Sequence, residues 1–414
     1  MTTTPLSGMP DLADPETFRA GVPYELYEQM RATPGIPWHP AESGTLKDGF
    51  WLVTRYDDVV EVLQDAGRFS SRFGSVFPLP NPSGEGPMGK NIVFMDPPEH
   101  SRVRRAAAKS FGPRVVANFE PWIREVVNEA LDHALPLRTF EWVEQVARVI
   151  PSQVIARVLG VPVAQRDYIV EATYAIFRAQ TAEDAGASLT AEFMKVGEFM
   201  THLGEDKLKD PADDMTTVLA QARQAGDIDL AEYQQYCASM FSAGFETTHT
   251  TIAHIGHLLA TDPSIAATAA RALEEGQSAA LVDEFLRYVT PAMRFARVAT
   301  CDTEIAGQAV KEGDTVLVVL AAANRDSAAY SRPDEFDPFR EGGKPLPGTG
   351  AAGLTFGAGP HRCIGHMLAK LELRVLLEEL QARQVTITMD GQAERGASGV
   401  VNQLMRVPVA VSLP

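Results

Sequence analysis

The sequence is short of cysteine and of long apolar runs, and each shortage excludes a class of protein. Its three cysteines, Cys237, Cys301 and Cys363, are too few and too widely spaced for a disulfide framework or a CxxC zinc site. No segment reaches the roughly 18 uninterrupted apolar residues that a membrane-spanning helix needs. The N-terminus does not place an apolar stretch after a basic one, as a secretory signal peptide does. We therefore expect a protein without a membrane span, located in the reducing cytoplasm.

Basic residues are outnumbered as well. Among 414 residues there are 37 Lys and Arg against 54 Asp and Glu, and the resulting net charge of −17 argues against nucleic acid as the main partner. Apolar residues make up 45% of the chain and charged residues 22%, a globular composition that excludes disordered and fibrous classes. Because no repeat or linker divides the chain, we expect one domain over residues 1–414, with residues 1–14 as a flexible tail.

Hydrophobic periodicity predicts a mainly α-helical chain with a smaller β part. The longest helix is predicted over Leu230–Ala260, and its apolar residues cover most faces, so it should cross the interior. Residues 297–320 alternate like short strands. A glycine- and proline-rich stretch over 341–360 leads into a helix predicted over Ile364–Gln384.

The most informative stretch is the glycine-rich segment from Phe356 to Gly365, which delivers Cys363 to the first turn of that last predicted helix. The N–H groups and the positive dipole end of a helix favour a thiolate there. A thiolate suits a soft metal centre, of which haem iron is one. Two other interpretations stay open from the residues alone. One is a buried cysteine beside a helix cap, and the other is a zinc site of His361, Cys363 and His366, which lacks a fourth ligand.

The ten residues FGAGPHRCIG match the pattern F-G-x-G-x-H-x-C-x-G at every fixed position, and they resemble the haem-binding loop of the cytochrome P-450 family. Three further motifs occur in that family's order, so the resemblance covers nearly the whole chain. It implies the mainly α, triangular cytochrome P-450 fold with a minor β region, and haem b as the cofactor. It makes Cys363 the iron ligand. The other residues of this loop that it places at the haem are Phe356, Gly357, His361 and Gly365.

Glu284 and Arg287 resemble the family's ExxR pair. Residues three apart on a helix share a face and can form an ion pair, and in the family this pair stabilises the segment that supports the cysteine loop. The third member of the network is usually an arginine from a segment that Arg332–Phe336 resembles, but a glutamate stands at position 335. Either Arg340 or Arg332 is expected to take its place.

The stretch that begins at Asp96 resembles a third motif of the family. Its His100 and Arg104 are four residues apart on a predicted helix and therefore point the same way. The resemblance implies that both bind haem propionates, and a guanidinium is suited to bind a carboxylate through two hydrogen bonds. The other propionate residues that it implies are Arg297 and His361. A solvated basic surface is expected for the neighbouring Arg102 and Arg105.

A glycine, an acid and two threonines stand in the middle of the long predicted helix, at Gly244, Glu246, Thr247 and Thr248. All are poor choices for a buried helix, and the glycine and the threonines cost several tenths to about 1 kcal/mol each in helix propensity. Thr247 could simply bond the carbonyl one turn back, but a buried Glu246 beside it would be unexplained, and a broken local rule often marks a functional site. The segment resembles the family's oxygen-activating motif. The resemblance implies that Ala243 and Gly244 contact the haem, that Gly244 leaves room for dioxygen, and that Glu246 and Thr247 deliver protons as catalytic residues.

The reaction that the resemblance implies is monooxygenation, in which one atom of dioxygen enters an apolar small molecule and the other leaves as water. Because no flavin or iron–sulfur segment is recognisable, electrons are expected from a separate ferredoxin and ferredoxin reductase. An acidic ferredoxin would need a basic patch on this acidic chain, and the candidates are Arg105, Lys109, Arg114, Arg362 and Lys370. We expect a monomer.

Two other functions are weighed against this one. A peroxygenase would use peroxide directly, but the Glu246–Thr247 pair, which such enzymes generally lack, argues against it. A haem-thiolate sensor or carrier would need no proton-delivery residues, and no DNA-binding or signalling module is recognisable in the sequence.

Candidate substrate contacts come from four regions in which members of the family touch their substrates: the 73–94 loop, the long helix, the stretch after the ExxR pair and a C-terminal turn. Most are apolar, which suits a terpenoid, steroid, fatty-acid-like or aromatic substrate. They are Phe73, Phe77, Val93, Phe94, Ser239, Ser242, Ala243, Ala292, Met293, Phe295, Val400 and Val401.

Overall fold

The computed structural model describes residues 9–40, 49–76, 87–179, 185–341 and 352–414. They form two compact units, each assembled from three separated stretches of the chain. The first unit takes its described residues from Met1–Gly84, Ser264–Cys363 and Glu394–Met405. The second takes them from Glu85–Pro263, Ile364–Ala393 and Arg406–Pro414.

Helices predominate, as the hydrophobic periodicity predicts. Within the described ranges no helix combines the length and the hydropathy that crossing a membrane requires. The α-helices of the described residues are α1 (Tyr24–Ala32), α2 (Tyr56–Gln64), α3 (Glu99–Ala108), α4 (Pro113–Ala117), α5 (Glu120–Ala134), α6 (Val149–Val158), α7 (Arg166–Ala179), α8 (Ala185–Lys209), α9 (Met215–Gln224), α10 (Leu230–Thr261), α11 (Pro263–Glu274), α12 (Ser278–Val289), α13 (Leu320–Ala323) and α14 (His366–Ala382).

The strands are short and belong to small sheets. The strands of the described residues are β1 (Trp38–His39), β2 (Phe50–Val53), β3 (Phe69–Ser70), β4 (Thr139–Glu141), β5 (Arg294–Ala299), β6 (Thr303–Ile305), β7 (Gln308–Val310), β8 (Thr315–Val319), β9 (Thr386–Met389), β10 (Glu394–Arg395), β11 (Leu404–Arg406) and β12 (Pro408–Ser412). A mixed sheet has the strand order β1-β2-β8-β5-β3, and an antiparallel sheet has the order β4-β12-β9. Two further pairs of strands are β6-β7 and β10-β11.

The longest helix, α10, begins where the sequence supplies a capping box. The carboxylate of Asp229 accepts a hydrogen bond from the backbone N–H of Glu232 at 2.8 Å, and the carboxylate of Glu232 accepts one from the N–H of Asp229 at 2.9 Å. Most of the helix is buried, and it packs against α6 and α8 within the second unit. The prediction of a long interior helix over Leu230–Ala260 is confirmed.

The mixed sheet organises the core of the first unit. β8 lies in its middle, pairing with β2 in parallel and with β5 antiparallel. Because side chains alternate across a strand, Val316 and Val318 enter one apolar cluster while Leu317 and Val319 enter another. Both faces of β8 are therefore buried, which explains its unbroken apolar run.

The N-terminal segment is not a free tail where the structure describes it. Leu12 is fully buried, its N–H donates to His39 Nε2 at 3.0 Å, and its side chain packs in the cluster that holds Phe18 and Met30. The expectation of a flexible tail over residues 1–14 is therefore wrong at Leu12, because this apolar side chain finds a place in the core. Residues 1–8 lie outside the described ranges.

Candidate functional site

Cys363 lies at the end of a loop in the first unit, just after a 3-10 turn over Gly359–His361. Its backbone N–H donates to the carbonyl of Phe356 at 2.9 Å and so closes the loop. The side chain is exposed, whereas cysteine is usually among the most buried residues. The interpretation of Cys363 as a buried structural cysteine is therefore wrong.

The helix after the loop starts later than predicted. α14 begins at His366 with Gly365 as its N-cap, so Cys363 precedes the cap by two residues instead of lying in the first turn. What fixes the loop is its contact with α2. Gly359 has a φ of +68°, and an added Cβ there would collide with the Leu63 carbonyl and lie 2.9 Å from Gln64 Cα. Only glycine satisfies both the backbone conformation and this close approach.

The predicted ExxR pair is present and almost fully buried. Arg287 donates from Nε and Nη2 to the two carboxylate oxygens of Glu284, at 2.8 and 2.7 Å. Arg340 adds a third bond, from Nη2 to Glu284 Oε1 at 3.1 Å. Arg332 instead pairs at the surface with Glu335 at 2.6 Å. Of the two candidates, Arg340 therefore completes the network.

A buried asparagine that sequence reasoning missed connects this network to the cysteine loop. Arg287 Nη1 donates to the carbonyl of Asn324 at 2.8 Å. The Asn324 amide donates to Thr355 Oγ1 at 3.0 Å and accepts from the N–H of Leu354 at 2.8 Å. Thr355 and Leu354 directly precede Phe356, the residue that holds the Cys363 N–H. The signal in the sequence was a polar residue at the end of the apolar run Leu320–Ala323, since a buried amide needs partners.

The predicted propionate residues lie on defined elements. In the first unit, Arg297 is a buried residue of β5, with Nη1 donating to the Ala296 carbonyl at 2.7 Å, and His361 ends the 3-10 turn, half-buried. In the second unit, His100 is buried and Arg104 half-buried on α3, one turn apart. Burial raises the pKa of the Tyr236 phenol on α10, and the positive charge of Arg104 partly offsets this shift.

Arg102, by contrast, is not simply part of a solvated basic surface. It donates to both carboxylate oxygens of Glu232, at 2.6 and 3.0 Å, and so joins α3 to the first turn of α10. Burial by itself would raise the pKa of Glu232, but the Arg102 hydrogen bonds and those from the Asp229 N–H hold it below its ordinary value. Arg105 is exposed, as expected.

An exposed face opens in the middle of α10. Ala243 is exposed and Glu246 and Thr247 are half-buried, although Phe241 and Phe245 beside them are buried. Residues at spacings of three and four share a helix face, so the alanine, the acid and the alcohol lie on the same face of α10. The expectation of a buried Glu246 is wrong, because its side chain is half-buried.

Two local contacts fix this segment. Thr247 Oγ1 donates to the Ala243 carbonyl at 3.1 Å, which is the local bond weighed from the sequence. At Gly244 an added Cβ would lie 2.9 Å from Ile155 Cδ1 of α6. The structure thus gives a packing reason for the glycine, while its expected role in leaving room for dioxygen stays a prediction.

Of the predicted substrate contacts in the first unit, the structure brings two segments together. Ala292 and Val401 form a β-bridge, and the Met293 N–H donates to the Val400 carbonyl at 2.7 Å. The side chain of Met293 is buried in the core cluster of Leu12 and Phe18, so its prediction as a substrate contact is wrong. Phe295 packs against the other cluster and Phe73 is exposed, while Phe77 lies outside the described residues.

In the second unit the predicted contacts divide by exposure. Val93 and Ser242 are half-buried and Ala243 is exposed. Phe94 and Ser239 are buried, and the Ser239 hydroxyl already donates to the Gln235 carbonyl at 2.7 Å. The accessible side chains are thus apolar or small.

The donor set fits haem b and not zinc. Among the described residues, no three His, Cys, Asp or Glu side chains come together as a metal site, which overturns the zinc interpretation. A single exposed cysteine on a braced loop supplies the one soft ligand that haem iron takes from a protein in thiolate enzymes. Arginine and histidine side chains such as the predicted propionate residues are suited to bind carboxylates.

Comparison with known proteins points to one family. A family model described as cytochrome P-450 matches residues 278–393. The chain is 34% identical over 414 residues to the protein named cytochrome P-450 126 of Mycobacterium tuberculosis, with 95% of both chains covered. It is 33% identical over 352 residues to the erythromycin C-12 hydroxylase of Saccharopolyspora erythraea, covering 84% of this chain and 85% of that one. The crystal structure of CYP108D1 from Novosphingobium aromaticivorans matches with a TM-score of 0.83 at 28% identity, covering 98% of both chains.

Proposed function

This chain belongs to the cytochrome P-450 family, and we propose that it oxidises an apolar small molecule with Cys363, Glu246 and Thr247 as its principal functional residues. As a member of that family it has the cytochrome P-450 fold and is an oxidoreductase with haem b as its cofactor. The observation that carries the proposal is the exposed Cys363 side chain on a loop braced through Asn324 by the Glu284–Arg287 pair.

When bound, the haem supplies the redox-active iron at which dioxygen is activated. Cys363 would provide its thiolate to that iron. Arg104 and Arg297, with His100 and His361, would bind the propionate carboxylates, because guanidinium and imidazole groups form charge-assisted hydrogen bonds with carboxylates. Phe356, Gly357 and Gly365 would shape the loop around the thiolate.

Glu246 and Thr247 are proposed to move protons. The Thr247 hydroxyl donates to the Ala243 carbonyl and keeps its oxygen lone pairs as acceptors, so it can hold a water molecule or another proton donor. The Glu246 carboxylate lies on the same half-exposed face, where it can exchange protons with solvent. A positioned acid of this kind typically contributes roughly 10² to 10⁴ in rate.

The substrate is proposed to be apolar because the accessible predicted contacts are apolar or small. Val93, Ser242 and Ala243 carry no charge, and the same holds for Val400. Such a lining selects by shape and size more than by hydrogen bonds, which suits a terpenoid, steroid, fatty-acid-like or aromatic compound.

Electrons are proposed to come from a ferredoxin and its reductase, and the whole chain is proposed to act as one catalytic domain. On the second unit, Arg105, Lys109 and Arg114 are exposed in and after α3, so they offer positive charge on an otherwise acidic protein. Association with an acidic ferredoxin through them should slow as ionic strength rises. Because each unit carries part of the family's motif set, neither is proposed to act alone.

The test is turnover by the purified haem-loaded chain with a surrogate ferredoxin, its reductase and a panel of apolar compounds. Compounds that shift the Soret band are incubated with NAD(P)H under isotopically labelled dioxygen. The proposal expects a product that carries one labelled oxygen atom. Turnover with hydrogen peroxide but not with the redox partners would favour a peroxygenase, and ligand binding without any turnover would favour a sensor or carrier.

A further inference from the structure

A fully buried arginine in the first unit has no part in the mechanism above. Arg294 opens β5, and its guanidinium donates from Nη1 to the Leu12 carbonyl at 2.6 Å and from Nε to the Gly399 carbonyl. Its Cζ lies 4.5 Å from the centre of the Phe18 ring. Burial lowers its pKa to about 10, which still leaves the side chain charged at neutral pH. Placing a charge in this core opposes folding, so the position calls for a reason.

The Gly399 carbonyl that Arg294 binds belongs to a C-terminal turn that side-chain hydrogen bonds help to hold. Ser398 Oγ accepts from the N–H groups of Val400 and Val401, at 3.3 and 3.1 Å. The Asn402 amide donates to the Val289 carbonyl at 2.8 Å and so attaches the far end of the turn to the end of α12.

Arg294 and Gly399 are matched in shape. An added Cβ at Gly399 would collide with Arg294 Nη2. The guanidinium therefore occupies the volume that a larger residue at position 399 would need, so such a residue would have to displace the guanidinium or the turn.

The turn lies against the segment that precedes Arg294. Ala292 bridges to Val401, Met293 donates to the Val400 carbonyl at 2.7 Å, and Arg294 binds Gly399, so three consecutive residues are in register with three residues of the turn. Val400 is among the proposed substrate contacts and is half-buried, whereas Ala292 and Val401 are buried and hold the turn in place. A change at Arg294 should therefore move Val400, although the arginine itself need not touch the substrate.

We propose that Arg294 is a positioning residue that sets the path of the turn around Gly399 and thereby the shape of the substrate pocket at Val400. This rests on the proposed function, in which Val400 contacts substrate. Arg294 thus determines which apolar molecules fit, whereas haem ligation and proton delivery do not depend on it.

The experiment measures two ligands by Soret titration of the haem-loaded chain. Imidazole reports on the iron alone, and phenylimidazole adds an apolar ring that must fit the pocket. In Arg294→Met, phenylimidazole should bind roughly 10-fold more weakly, the size of a small misfit in an apolar pocket, while the imidazole affinity stays the same. Arg294→Lys, which keeps the charge, should recover part of the loss. Arg325→Met, a buried arginine of the same unit bonded to the Tyr288 carbonyl, is the matched control and should shift both ligands equally.

If Arg294→Met does not retain haem, Gly399→Ala serves instead, because it displaces the turn from the other side and leaves the charge in place. A selective loss of phenylimidazole in either variant supports the proposal. Equal changes for both ligands, matching those of Arg325→Met, or an unchanged phenylimidazole affinity in Gly399→Ala, would overturn it. Failure of the unaltered chain to bind imidazole at the iron would refute the proposed function instead, so the two failures are distinct.

Discussion

Arg340 Nη2 lies 3.1 Å from Glu284 Oε1, and the side chains of both residues are almost fully buried. The same carboxylate also accepts from Arg287 and from the backbone N–H of Asp337. Two cations therefore compensate one buried anion, and together they hold the irregular segment after α13 against α12. Removing either cation leaves a desolvated carboxylate with less compensation.

Arg340→Ala should therefore destabilise the chain. We expect about 2 kcal/mol, less than the roughly 3–5 kcal/mol for complete loss of a buried partner, because Arg287 remains. Chemical denaturation with haem absorbance and far-UV circular dichroism recorded in parallel measures it. Arg332→Ala is the control, since that side chain is 61% exposed and should change little. Equal losses in the two variants would mean that Arg340 is not the third member of the network.

The Arg102–Glu232 pair predicts a specific response to acid. The pKa of Glu232 is held below its ordinary value of 4.5, so its contribution to stability is present above that value and is lost as pH falls through the lowered pKa. Glu232→Gln should cost about 1–3 kcal/mol at neutral pH. The difference from wild type should shrink on acidification. Glu16→Gln alters an exposed pair whose hydrogen bond from Arg19 also lowers the carboxyl pKa, and it should give a much smaller trend because water screens the pair. A difference that stays constant with pH would contradict the assignment.

Glu372 predicts the opposite response. It is buried in α14, its Oε2 has no hydrogen-bond partner among the described residues, and burial raises its pKa well above the ordinary value. Because ionisation is disfavoured in the folded state, its contribution is lost as pH rises. Glu372→Gln, which stays neutral, should gain stability relative to wild type between about pH 5 and about pH 8. Unfolding free energies of both proteins at these two values measure this, and a gain on acidification instead would refute a buried neutral carboxyl.

The sequence predicted α10 almost to the residue, because a capping box and continuous apolar periodicity are local signals. It also predicted the Glu284–Arg287 contact, because residues three apart share a helix face and the pair resembles the family's ExxR motif. It could not choose between Arg340 and Arg332, since both follow an irregular segment without a period to set their direction. The sequence also could not predict the burial of Leu12 or the exposure around Ala243, because each depends on which distant elements cover that position.

The substrate contacts show the same limit. Alternation along β5 predicts opposite faces for neighbouring residues, but it does not say which face meets the core and which a ligand. Met293, which directly precedes β5, is buried in the same core cluster as Leu12, and alternation alone could not predict this. Arg294 drew no attention in the sequence because its partners are backbone carbonyls of residues far away along the chain.

Thr247 and Glu246 should fail in different ways if they deliver protons. Thr247→Ala should still bind substrate and consume NAD(P)H through the redox partners. It should release peroxide instead of oxygenated product, because without the Thr247 hydroxyl the water that delivers protons is no longer held in place. Glu246→Gln should slow the whole cycle, with a loss of up to roughly 10² to 10⁴. Product, peroxide and NAD(P)H are measured side by side.

Thr251→Ala is the matched control, since its hydroxyl makes the same local bond one turn further on, to the Thr247 carbonyl at 2.9 Å, but is buried. In Thr251→Ala, consumption of NAD(P)H should remain coupled to formation of the oxygenated product. Unchanged coupling in Thr247→Ala together with an unchanged rate in Glu246→Gln would move the peroxygenase and sensor functions ahead.

The most direct test of the central claim is the absorption spectrum of the reduced chain with carbon monoxide. If Cys363 supplies the thiolate, the wild-type Soret band lies at the wavelength that gave the family its name, and Cys363→His shifts it to the shorter wavelength of imidazole-ligated haem. Cys301→Ser, which alters another exposed cysteine of the first unit, should keep the wild-type band. A thiolate band that survives in Cys363→His would contradict the account.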